Sequence, residues 1–148
     1  MKNTFQIVFI LCISLLFIGC SITSNSAKLV PNTLVKERQS FYVIHLDTDK
    51  RHIDQMIAKV LTEEGYTAIS GSKDNIPDNI DVLVTYEDRW MWDITNYLIQ
   101  LDIQFRNSDN FYPYVAGETI RTSLSRKSPE EMARETLFTM LNKTSQGK

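Results

Sequence analysis

The sequence predicts an α+β fold: a two-layer sandwich in which a mainly antiparallel sheet of about four to five strands carries two helices on one face. Three observations carry this. Two segments, near residues 53–61 and 132–141, repeat apolar residues at helical spacing. A third, residues 97–106, alternates apolar and polar strictly, as a sheet wet on one side does. Between the two helical segments lie strand and turn signals.

The elements follow in the order β-α-β-β-β-β-α. "SFYVIHL" at 40–46 is a run of β-formers and predicts a strand. In the following "DTDKR", Asp47, Thr48 or Asp49 can cap free N–H groups at a helix start. Ile53, Met56, Ile57, Val60 and Leu61 then mark one helical face, and Gly65 stands where a left-handed residue ends the helix. "YTAIS" at 66–70 and "IDVLVTYED" at 80–88 predict two strands, separated by a polar loop with Gly71, Pro77 and Asp78. Next, Tyr97, Ile99, Leu101, Ile103 and Phe105 share one side of a strand, with Gln100, Asp102, Gln104 and Arg106 on the other. The turn "RNSDN" leads to the strand "YVAGETIRTSL" at 114–124. Ser128, Pro129 and Glu131 then form a capping box with proline at the first helical position. Met132, Ala133, Thr136, Leu137, Met140 and Leu141 give that helix its buried stripe.

The chain begins differently. Lys2 is followed by a weakly polar or apolar stretch over residues 7–18, well short of the roughly 20 residues a bilayer-spanning helix needs. Such a stretch behind a basic start matches an export signal. It ends in Phe17, Ile18, Gly19 and Cys20, which resemble the lipobox of bacterial lipoproteins; Phe17 departs from the usual aliphatic residue there. The resemblance covers only this leader. It implies cleavage after Gly19, a lipid on the Cys20 thiol, and a place in the cell envelope. With Ser21 and not aspartate next, it implies the outer membrane, facing the periplasm, in a Gram-negative cell. The two cysteines agree: Cys12 leaves with the leader and Cys20 takes the lipid, so no thiol remains beyond it. The expected organisation is a signal peptide at 1–19, a lipidated cysteine and flexible tether at 20–40, and one α+β domain at 41–148. Rich in Ser, Thr, Asn and Lys, the tether spans on the order of 25 Å as a coil, although "KLVPNTLV" can also lie extended against the domain.

Composition narrows the function. The formal net charge of −2 falls by one more when Lys2 leaves, and there is no basic stripe, so nucleic acid is excluded as a partner. No G-x-S-x-G elbow, phosphate-cradling glycine loop or thiol nucleophile stands in the chain, so no catalytic residue is assigned and an enzyme is not expected. "HLDTDKRHID" brings His45, Asp47, Asp49 and His52 close in sequence. Either they form a His/carboxylate metal site, or the aspartates cap the helix and the histidines are ordinary. Zinc motifs are spaced differently and strand side chains alternate, so no metal or other cofactor is assigned.

"YEDRWMWDITNY" at 86–97 is the most distinctive stretch. Trp90 and Trp92 share a face in an extended chain, beside Arg89. They fill a core, anchor a protein partner as Trp and Arg do at hot spots, or enter a headgroup layer. The expected function is a lipid-anchored interaction or assembly factor, with Trp90, Trp92 and Arg89 as the contact surface. The alternatives are a periplasmic binder of a small apolar or lipid ligand and, behind it, a hydrolase.

Overall fold

The computed structural model describes residues 23–31 and 40–146. Gly19, Cys20 and the leader lie outside the described residues, as does the middle of the expected tether. The elements are β1 (Ser24–Leu29), β2 (Ser40–Ile44), α1 (Ile53–Glu63), β3 (Thr67–Gly71), β4 (Val82–Asp93), β5 (Thr95–Asn107), β6 (Pro113–Ile120) and α2 (Pro129–Gln146). No described helix is long and apolar enough to cross a membrane.

The helices form where their apolar stripes fall. In α1, Ile53, Ile57, Val60 and Leu61 are at most 1% exposed, and Gly65 at φ 93° ends the helix as expected. The capping box opens α2: the Glu131 N–H donates to the Ser128 hydroxyl at 3.2 Å, and the Ser128 N–H donates back to the Glu131 carboxylate at 2.8 Å. Both helices pack on one face of the sheet and share one core, in which Met132, Leu137 and Met140 meet Leu101, Ile103 and Phe105.

The α+β class and the two layers stand; the sheet corrects the expectation in size and direction. Among the described residues it has six strands in the order β1-β6-β5-β4-β2-β3. β1, β6, β5 and β4 pair antiparallel, whereas β4, β2 and β3 run parallel. The reason is burial on both faces. Phe41 and Val43 point to the helices, while Tyr42 and Ile44 form a second small core with Leu83, Ile76 and Ile80. The loop at 72–81 therefore covers the far face over β2 and β4, while Ile69 on the β3 edge stays exposed; a strand buried on both sides, as β2 is, reads as a continuous apolar run. Among the described residues, the antiparallel half keeps a wet outer face, and so does the β3 edge.

The sixth strand comes from the expected tether. Ser24–Leu29 pairs along β6 from Ser24 opposite Ile120 to Leu29 opposite Val115, and buries Ala27 in the core. Polar residues suffice there because an edge strand with one wet face needs few apolar positions. A second departure lies in β5. The register shifts where Arg89 faces Gln100 and Trp90 faces Leu98, leaving Ile99 as the extra residue of a bulge. Leu98, not Ile99, is thus the buried partner of Leu101 and Ile103, and the expected alternation stops there.

Candidate functional site

The bulge divides the β4–β5 hairpin into a packed base and a projecting tip. Trp90, at the boundary, rests half-buried against the core. Its indole N–H donates to Asp88 at 2.5 Å, and the Arg51 guanidinium lies 4.1 Å from its ring centroid. Two residues on, Trp92 is 73% exposed. The tryptophans do share a face, but the core ends between them. Arg89 is exposed on the opposite face. The three residues singled out from sequence are thus not one surface.

The tip has other members. Met91 is 47% exposed and Ile94, at the apex, 87%. Ile94 adopts φ 63°, which a β-branched residue takes only against strain. The apex is nonetheless fixed. Arg126 donates to the Asp93 carboxylate and the Thr95 hydroxyl, each at 3.0 Å, and its guanidinium stacks 4.1 Å from the Tyr97 ring centroid. Leu124, two residues before Arg126, is also exposed. Sequence alone gave Arg126 no role, because the contact joins positions some 30 apart in the chain.

A second cluster lies where β2 feeds α1. Asp49 caps the helix: its carboxylate accepts from the Arg51 N–H at 2.7 Å and the Ile53 N–H at 2.6 Å. The Tyr86 hydroxyl donates to the same carboxylate at 2.8 Å and accepts from the Leu46 N–H at 3.3 Å. Burial pushes the Asp49 carboxyl up, but the Arg51 amide, the Tyr86 hydroxyl, and the Ile53 and Asp54 amides together outweigh it and hold it below the ordinary value. Tyr86 is pushed well above the ordinary tyrosine range, by burial first and then by its bond to Asp49. His45 Nδ1 stands 3.2 Å from Asp54 Oδ1. Of the four residues weighed from sequence, the fold brings His45 and Asp49 together; Asp47 and His52 are exposed outside the cluster. Asp54 carries no such signal in the sequence, because it lies in the first turn of a helix beside the apolar Ile53 and looks like an ordinary first-turn acid.

The wet outer face carries a shallow polar groove of about 240 Å³, lined by Lys28, Glu87, Asp102, Gln104 and Glu118 among others. The Gln100 amide bridges Asp102 and Glu118, at 2.8 and 3.1 Å. Burial, then Glu118 and Glu87, raise the Asp102 carboxyl above its ordinary value.

No protein-family model and no curated protein matches the chain. Among solved structures it is similar to a PelC dodecamer from Paraburkholderia phytofirmans, with TM-score 0.57 and 11% identity, over 83% of this chain and 97% of that one. A variant PelC dodecamer from the same organism aligns with TM-score 0.60 and 10% identity, over 80% of this chain and 98% of that one. At such identity the likeness bears on the fold alone.

Proposed function

We propose that this chain is a lipid-anchored envelope protein that acts by contact, docking on a protein partner through the tip of the β4–β5 hairpin. One observation carries the reading: Trp92 and Ile94 are both exposed on an apex that Arg126 holds in place, with Met91 exposed on the opposite face of β4. A fixed apolar tip with an aromatic anchor loses little conformational entropy on docking, and such anchors dominate interface energies. The lipobox-like leader favours the envelope as its location, with Cys20 as the anchor. The fold likeness to a subunit of a dodecamer makes a second copy of this chain one protein partner to test.

The experiment is co-purification from detergent-solubilised membranes, with light scattering to detect self-assembly. Trp92→Ala combined with Ile94→Ser should abolish association while the thermal midpoint stays close to wild type, since exposed positions usually change stability by less than about 0.5 kcal/mol. Trp90→Ala should instead destabilise, by about 1–3 kcal/mol, because its ring packs against the core. Retained association in the tip variant refutes the reading.

A second occupant, the headgroup layer itself, is favoured by the register: Ser24 pairs with Ile120, and Ile120 with Gln100, so the chain enters the sheet at the tip's end. Flotation of the Cys20→Ser chain with lipid vesicles, with and without the tip substitutions, separates this from protein docking.

A further inference from the structure

We propose that His45, Asp49 and Asp54 form a binding site for a divalent transition ion of the zinc class, at the junction of β2 and α1. One ring nitrogen of His45 and one oxygen from each carboxylate lie within 4.8 Å of one another. The decisive group is Asp54. It is 3% exposed, and its Oδ1 accepts no hydrogen bond among the described residues, although His45 Nδ1 is 3.2 Å away. A buried carboxylate oxygen without a donor calls for a positive charge beside it. Two atoms that approach so closely without hydrogen-bond alignment stand as ligands of one ion do: metal–ligand bonds of about 2.0–2.1 Å at tetrahedral angles leave neighbouring ligands about 3.3 Å apart.

The ligand set selects the ion. One imidazole and two carboxylates suit zinc-class ions; calcium takes six to eight oxygens, and magnesium keeps its waters. Two carboxylates balance the double charge with a neutral histidine. Asp49 is held in orientation by the Tyr86 hydroxyl and the α1 amides, the outer-shell support that ligating groups in metal sites receive. His45, its side chain 32% exposed, leaves a fourth position open toward solvent. The site sits at the hairpin base, where Arg51 of the same turn stacks on Trp90.

The test is a titration of the full chain, stripped of metal in detergent, with cobalt(II) followed by zinc(II). The expected result is a saturable one-to-one cobalt absorption band in the visible, displaced by zinc, and a thermal midpoint that rises with zinc concentration. His45→Gln and Asp54→Asn should each weaken binding by about tenfold or more, and His52→Gln should leave it unchanged. If Asp54→Asn does not fold, His45→Gln at the site's rim decides. Absence of saturable binding overturns the site and leaves the cluster as a His45–Asp54 ion pair; so does undiminished binding in His45→Gln, or loss of binding in His52→Gln.

Discussion

Glu135 shows how much one side chain can set. It accepts from Arg121 and Lys127, and Arg121 is only 11% exposed with an Nε that has no partner among the described residues. Burial pushes the Glu135 carboxyl up, but the bonds from Lys127 and Arg121 outweigh it and hold it below the ordinary 4.5. The folded chain therefore binds fewer protons here than the unfolded one. This contribution is full above about pH 4.5 and is lost as pH falls below that toward the folded value. Glu135→Gln should cost about 1–3 kcal/mol at pH 7, since it strands the Arg121 charge. Urea midpoints measured from pH 7 to 3 should fall less steeply in this variant than in wild type. At this scale the sequence was legible where the signal is local. Ser128 and Glu131 announce their own capping box, whereas His52, Ile94 and Phe111, all at positive φ, carry no glycine to announce the turn.

Between elements, the distance from sheet to α2 depends on Gly117. A β-carbon there would stand 2.5 Å from Met140 Cγ and 2.9 Å from Thr136 Cγ2, and the buried Thr119 and Thr136 hydroxyls meet at 2.7 Å in the same seam. Gly117→Ala should overpack the seam and destabilise by about 1–3 kcal/mol, read as a lower thermal midpoint; Met140→Ala in the same chain should recover part of the loss. The helices and most strands were legible because one-sided burial imprints a period on the sequence. The parallel half was misjudged because β2 is buried on both faces and shows no alternation; the unbroken "FYVI" was the available clue. The bulge at Ile99 was hidden for a related reason. An extra residue shifts the period by one, and Leu98 and Ile99 are equally apolar. The Arg126 clamp joins distant segments, so no local pattern reports it.

Over the whole molecule, the first described strand ties the chain's beginning to the body. Deleting residues 1–30 should uncover the β6 edge and remove Ala27 from the core, giving a lower thermal midpoint and more aggregation than deleting 1–22 alone. A chain held by its leading end feels this pairing as mechanics. The ladder bonds between β1 and β6 lie across the strand axis, so a tug along that axis strains all of them together instead of parting them one by one. Drag on the body would thus meet a lap joint six residues long, and β1 would be stripped from the sheet only by a load large enough to shear the whole seam.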